Sequence, residues 1–370
     1  MIKTPLVSVI ILSYNSSDTI SRAVHSVLVQ DYPYIELLIA DDGSQDFSYQ
    51  FVESLFVGVE AREGFSYRIV NNSVNSGTVA NLWSALDVMS GDCFMVIGAD
   101  DALASPSVIS NYIDFFNLRS WEPLAVVSRA EMRSEDLNEF YSNLPDDEGR
   151  LVLVSEDSNQ LYSALASKCI IPIVATCFQK SFIEAVQAFS KDYKYYEDYP
   201  TFLRMARLGI APAYLDEVST LHASGGIANG KQSDALRKAL YRDRLLMWKR
   251  EFDPYSNRVS SEVRKKNKER RELERSLLHA GDSDDSGRLL NSSEVLEQLG
   301  VFFHRRLFQR AIGSWVFFVL LALITACLFV LHGEWGVLVL VSALASALLL
   351  LVSLWFTGSY IVRFIKRRFS

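Results

Sequence analysis

Cys93-Phe94-Met95-Val96-Ile97-Gly98-Ala99-Asp100-Asp101 is an apolar run that ends in two adjacent carboxylates. Cys93 to Ile97 read as a strand buried on both faces. Acids at the carboxyl end of such a strand sit where open α/β sheets bind ligands. Two neighbouring carboxylates resist ionising together unless a cation offsets them. Oxygen ligands suit Mg²⁺ or Mn²⁺, and such ions usually keep contact with a substrate phosphate. The stretch therefore points to a metal–diphosphate site. The plainer alternative is a solvated turn that holds two Asp.

The flanking sequence repeats the pattern. Leu6 to Leu12 is another near-continuous apolar run, followed by the polar loop Ser13-Tyr14-Asn15-Ser16-Ser17. Ser17 or Asp18 can cap the next helix, and Ile20, Val24, Val27 and Leu28 give that helix one apolar face. Ile35 to Ala40 reads as a strand that ends in Asp41-Asp42-Gly43-Ser44. A further helix, a strand near Tyr67 to Val70, a helix after Gly77 and the Cys93 strand follow. Strands that alternate with helices predict a doubly wound α/β sheet. Right-handed crossovers put the strand carboxyl ends on one edge. The Ser13–Ser17 loop, Asp41-Asp42 and Asp100-Asp101 are thus expected to converge there.

Bulk properties narrow the function. The chain has 370 residues and a formal net charge of −7, which gives no footprint for nucleic acid. Cys93, Cys169, Cys177 and Cys327 lie far apart, with no zinc spacing or disulfide framework. That fits a reducing compartment. No signal peptide is expected, since Met1 to Pro5 leads straight into a strand. Strand signals stop near Gly230. Arg264 to Arg275 is densely charged and reads first as a solvated helix, with a membrane-binding patch as the alternative. Gly281 to Ser293 is a polar linker, and Glu294 to Gln309 suits an interfacial helix.

Ala311 to Leu331 and Gly336 to Gly358 carry no charge. As helices rising ~1.5 Å per residue, each spans roughly the 30 Å bilayer core. His332-Gly333-Glu334-Trp335 between them demands an antiparallel hairpin. Arg305, Arg306 and Arg310 precede it, and Arg363, Lys366, Arg367 and Arg368 follow it. The positive-inside bias predicts an inner-membrane protein with both termini and the N-terminal domain in the cytoplasm. The basic flanks can bind anionic membrane lipid.

Taken together, Val7 to Asn15, Ser26 to Pro33, Glu36 to Ser44, Asn75 to Asn81, Gly91-Asp92, Asp100-Asp101 and Glu197 to Pro200 carry a resemblance. The chain resembles family 2 glycosyltransferases with the GT-A fold, over about residues 5 to 230. The resemblance implies an α/β, Rossmann-like mixed sheet at 1–230. A helical linker and interfacial region at 231–310 and the transmembrane hairpin at 311–370 would follow. By motif, Asp42 would hydrogen-bond the nucleotide base, with Ser13, Tyr14 and Asn15 beside it. Asp100 would contact ribose, and Asp101 would ligate the Mn²⁺ or Mg²⁺ that bridges the diphosphate. Asn75 and Asn81 would line the donor pocket, or serve as turn and cap residues. The family commonly has an acid where this chain has Gly98.

Asp198 matches the family's catalytic base. A sugar hydroxyl is a poor nucleophile and needs a proton acceptor whose pKa is tuned by burial or by a neighbour such as Glu197. The plainer role of Glu197-Asp198 is an acidic helix start before Pro200. His222 follows a strand-like stretch and precedes Ala223-Ser224-Gly225-Gly226. It offers an imidazole as a further ligand, although a lone His is as a rule structural. The glycines suggest a loop that closes over the donor.

The expected function is inverting transfer of a sugar from a nucleotide-diphosphate donor, such as a UDP-sugar, to a hydroxyl of a polyprenyl-linked saccharide in surface polysaccharide synthesis. A polyprenyl-phosphate sugar transferase is the nearest alternative. A membrane-tethered binding or scaffold protein with a decayed site is the alternative of another class.

Overall fold

A computed structural model describes residues 2–58, 62–225 and 233–279 of the chain. These fall in one compact unit, Met1–Asp282. The first half is built by strand–helix crossovers. β1 (Val7–Ser13), α1 (Ile20–Leu28), β2 (Ile35–Asp41), α2 (Tyr49–Ser54), β3 (Phe65–Asn71), α3 (Thr78–Leu86) and β4 (Cys93–Gly98) follow in order. β1 runs parallel to β2 and β4, and β2 parallel to β3. The register sets Ser13 opposite Asp41 and Leu12 opposite Gly98. The strand ends expected on one edge therefore lie side by side.

The second half turns the sheet mixed. β5 (Ala102–Leu103) and α4 (Val108–Leu118) are followed by β6 (Ala125–Arg133), β7 (Phe140–Leu144), α5 (Asp147–Val154) and α6 (Ser158–Leu165). Then come β8 (Thr176–Gln179), α7 (Phe182–Val186), α8 (Tyr199–Arg207), β9 (Ala213–Ala223), α9 (Asp234–Met247) and α10 (Ser261–His279). Among the described residues nine strands form one sheet in the order β3-β2-β1-β4-β8-β6-β9-β5, with β7 beside β6. β8 is antiparallel to β4 and β6, and β5 is antiparallel to β9.

The continuous apolar strands are covered on both sides, as their sequence predicts. Val9, Ile11, Leu37 and Ile39 pack with Tyr112 and Phe116 on one face. Ile10, Leu38 and Phe94 pack with Phe178, Phe202 and Trp248 on the other. Close approach is needed at Gly91, where a Cβ would come within 2.7 Å of the Ser8 backbone nitrogen.

The unit does not end near 230, where strand signals stop. Met247, Trp248 and Phe252, at the end of α9 and in the π-helical turn after it, are buried with Tyr199 and Phe202. Glu251 accepts charged hydrogen bonds from Arg204 and Arg207 at the end of α8. The densely charged stretch forms α10. Lys265–Glu269, Lys266–Glu262 and Lys268–Glu272 pair one turn apart on its exposed side. Its other side is not solvated: Asn267 is buried and donates to the Ala166 carbonyl at 2.7 Å. Arg270 donates to the Ser167 carbonyl at 3.0 Å. Both residues satisfy carbonyls at the end of α6.

Among the described residues no helix is long and apolar enough to cross a membrane. The expected linker, interfacial helix and two spans, 281–370, lie outside the described residues.

Candidate active site

Four loops meet at the carboxyl edge of β1, β2 and β4. The β1 and β2 ends are tied directly. Ser13 Oγ donates to Asp41 at 3.1 Å, the Asp42 amide donates to the Ser13 carbonyl at 2.9 Å, and Ser44 Oγ accepts the Asn15 amide at 2.7 Å. Asn15 has a left-handed backbone with φ +50°, which Asn tolerates better than most residues, and its side chain accepts the Gln45 amide at 3.2 Å. Tyr14 between them is exposed. A pocket of about 250 Å³ opens beside Ser13, lined also by Ser16, Ser17, Ile20, Asp46 and Phe47.

Asp42 is buried, and its carboxylate accepts the amides of Ser76 at 2.9 Å and Gly77 at 2.7 Å. It thereby holds the loop between β3 and α3. Asn75, next in that loop, is exposed. Asn81 is buried and donates to the Ala40 carbonyl at 2.9 Å, a structural tie between α3 and β2.

The acidic pair divides its work. Asp101 is only 1% exposed. Its Oδ1 meets His222 Nδ1 at 2.7 Å and the Ala223 amide at 3.0 Å, and its Oδ2 accepts the Gly98 amide at 3.0 Å. The two-residue pairing of β5 with β9 brings this about. Ala102 lies opposite Leu221, so the residues just outside, Asp101 and His222, come together. Asp100 is half-buried. Burial and then the Asp101 charge raise its carboxyl above the ordinary value, against the nearby His222 and Arg22. Burial works against a charged His222 ring. Asp101, by charge and hydrogen bond, and then Asp100 outweigh it and hold the imidazole above its ordinary pKa. Gly98 stands where the resemblance expects an acid. A Cβ there would lie 2.5 Å from Asp100 Oδ1, so a side chain at this position would require the Asp100 carboxylate to move.

This donor set suits a divalent cation. Among the described residues no three His, Cys, Asp or Glu side chains form a cage. Asp100 and His222 Nε2, which the Asp101 contact leaves open, stand beside Asp101, the acid expected as ligand. Asp101 orients the imidazole from behind, as carboxylates do for ligating histidines.

Asp198 caps the amino end of α8 and accepts the Tyr199 amide at 2.5 Å. Burial raises its carboxyl above the ordinary range. Glu197 is held well above its usual value by burial, then by Asp198, then by Asp243, and its Oε2 is buried without a hydrogen-bond partner. Both carboxyls are thus raised by burial, and the Asp198 charge raises Glu197 further. The cap is present, and the two acids stand half-buried in sequence at the start of α8.

Sequence reasoning missed Arg22. From α1 it donates to the carbonyls of Asp100 at 2.5 Å and Glu135 at 3.1 Å, fixing the acidic turn. Its position on the polar side of an otherwise apolar helix was the available signal.

Residues 8–117 match the model of the family described as Glycosyl transferase family 2. The chain is 25% identical over 245 residues to an uncharacterized glycosyltransferase of Haemophilus influenzae, covering 63% of this chain and 72% of that protein. It is 24% identical over 238 residues to the UDP-Glc:alpha-D-GlcNAc-diphosphoundecaprenol beta-1,3-glucosyltransferase WfaP of Escherichia coli, covering 63% and 84%. The mannosyltransferase PcManGT of Pyrobaculum calidifontis, solved with GDP-Man and Mn²⁺, shares the fold. Its TM-score is 0.53 at 16% identity, covering 90% of this chain and 89% of that one. Residues 8–117 therefore carry the glycosyltransferase family 2 match, the described mixed sheet is GT-A-like, and the chain is a glycosyltransferase.

Proposed function

We propose that this enzyme transfers a sugar, with inversion, from a UDP-sugar to a hydroxyl of a polyprenyl-diphosphate-linked saccharide. The observation that carries the reading is the Asp100–Asp101–His222 cluster on the same sheet edge as Ser13 and Asp42. The WfaP enzyme, named as a glucosyltransferase acting on a GlcNAc-diphosphoundecaprenol, is similar to this chain over most of its length. Ser13, Tyr14 and Asn15 form the floor for the nucleoside, and Asp42 fixes the Asn75–Gly77 loop against it. Asp100 and His222 Nε2 would hold Mn²⁺ or Mg²⁺, and Asp101 sets the imidazole. When bound, that ion supplies positive charge to the departing diphosphate, so no separate acid is needed.

Asp198 accepts the proton of the acceptor hydroxyl as its oxygen bonds to the anomeric carbon. The bond from that carbon to the diphosphate breaks, and the nucleoside diphosphate leaves. A single displacement inverts the centre. The half-buried, raised carboxyl of Asp198 favours a hydroxyl acceptor, which needs a base, over a polyprenyl phosphate, which is already an anion. The uncharged 311–331 and 336–358 stretches would anchor the enzyme beside its lipid-linked acceptor, with both termini cytoplasmic.

The test is thermal melting of the chain with UDP-sugars and GDP-mannose, with Mn²⁺ or EDTA. A ligand at about 100 times its Kd stabilises the fold by about 2.7 kcal/mol. A metal-dependent rise with a UDP-sugar is expected. No rise with any nucleotide would contradict the reading and favour a decayed site. Transfer to bare polyprenyl phosphate in place of a polyprenyl-diphosphate sugar would replace the acceptor.

A further inference from the structure

Asp243 lies on α9, beyond every residue that carries the family motifs. It is buried, and a single oxygen, Oδ2, accepts three successive main-chain amides. These are Lys194 at 2.9 Å, Tyr195 at 2.6 Å and Tyr196 at 3.2 Å. Converging consecutive N–H groups make a concave anion site. Here it is filled by a carboxylate of the same chain, and hydrogen bonds to a charged acceptor are the strong kind. The two residues that follow the strip are Glu197 and Asp198.

The other side of the strip meets the donor loop. The Lys194 carbonyl accepts the Val79 amide at 3.1 Å in the first turn of α3. Gly77, whose amide Asp42 holds, packs so closely that a Cβ there would lie 2.7 Å from that carbonyl oxygen. Its φ of +96° suits glycine as well. Lys194–Tyr196 is therefore a short bridge between the loop fixed by Asp42 and the start of α8.

We propose that Asp243 is a positioning residue: by clamping Lys194–Tyr196 from α9, it sets where Asp198 stands relative to the donor loop. The inference rests on the role proposed above for Asp198. It makes α9 part of the catalytic apparatus, although no group on it need touch substrate.

The test compares Asp243→Ala and Asp243→Asn in the full chain, with UDP and Mn²⁺ as the binding probe. Turnover is measured with the UDP-sugar that the wild type uses, and amide hydrogen exchange is followed over 194–199. Asp243→Ala is expected to lose exchange protection at 194–196 and to lower kcat by about 10- to 100-fold, the scale of a small misplacement. UDP affinity should stay within about threefold, because the donor site keeps its contacts. Asp243→Asn keeps an acceptor oxygen and should restore kcat to within about threefold. In an Asp198→Asn background, Asp243→Ala should add less than about twofold, since a residue acting through Asp198 has nothing left to position.

Lost protection with unchanged kcat overturns the proposal. So does a kcat loss that persists undiminished in the Asp198→Asn background, or UDP affinity that falls in step with kcat. Should Asp243→Ala not fold, Asp243→Glu moves the same charge by one methylene and makes the same comparison. The two readings fail separately. A wild-type rate for Asp198→Asn removes the base, whereas a slow Asp198→Asn beside a normal Asp243→Ala removes only the clamp.

Discussion

Replacing Asp101 by Asn separates support of the cation site from direct ligation. The buried carboxylate serves donors on both oxygens: His222 Nδ1 and the Ala223 amide on one, the Gly98 amide on the other. An Asn side chain has one acceptor oxygen. Placed to keep the Ala223 and His222 contacts, it turns its NH₂ toward the Gly98 N–H and leaves that amide unsatisfied. A buried unsatisfied donor costs about 1–3 kcal/mol, and losing the charge on the His222 bond adds about 1 kcal/mol. The sum, about 2–4 kcal/mol, corresponds to a Tm lower by about 5–15 °C in a domain of this size. Asp100→Asn should behave in the opposite way. Its carboxyl is held above the ordinary value by burial and by Asp101, so neutralising it relieves strain and leaves Tm equal or higher. It should abolish the Mn²⁺-dependent part of UDP binding. Melting curves of both variants with and without Mn²⁺ and UDP make the comparison. The reasoning is refuted if Asp101→Asn melts like the wild type, or if Asp100→Asn is the less stable of the two.

The half-buried Asp198 carboxyl should place the acidic limb of kcat/KM above the ordinary carboxylate range, with activity falling as pH drops through the raised value. Because the neutral form is favoured in the fold, its contribution to stability is present below the ordinary pKa near 3.8 and is lost as pH rises through the raised one. Asp198→Asn should therefore flatten the loss of stability across that window, which denaturation at a series of pH values would detect. Glu251→Gln should cost about 3–5 kcal/mol by removing the counter-charge of the largely buried Arg204 and Arg207 and turning an amide NH₂ toward one of them. Its kcat should remain near wild type, and urea melts beside turnover measurements would reveal a catalytic effect instead.

The legible part of the fold was the part dictated by local pattern. The unbroken apolar runs of β1, β2 and β4 read as doubly covered strands, and the right-handed crossovers forced Ser13, Asp42 and Asp100 onto one edge. The illegible part depended on distant pairing. Asp101 meets His222 across 121 residues because two residues of β5 pair with β9, and a two-residue strand leaves no periodic signal. Asp42 was expected to hydrogen-bond a nucleotide base; its hold on the Ser76 and Gly77 amides, 34 and 35 residues away, is a further role that no local pattern announces. The boundary near 230 followed the loss of strand signals. Trp248 and Phe252, two large apolar residues just beyond a charged helix, were the cue that the chain returns to the core.

Asp198→Asn parts donor binding from chemistry when UDP binding in the presence of Mn²⁺ is compared with the rate of sugar transfer. If Asp198 is the base, UDP affinity is unchanged and transfer is slower by about 10² to 10⁴, the usual contribution of a general base. Transfer at the wild-type rate, or loss of UDP binding together with transfer, would contradict that role.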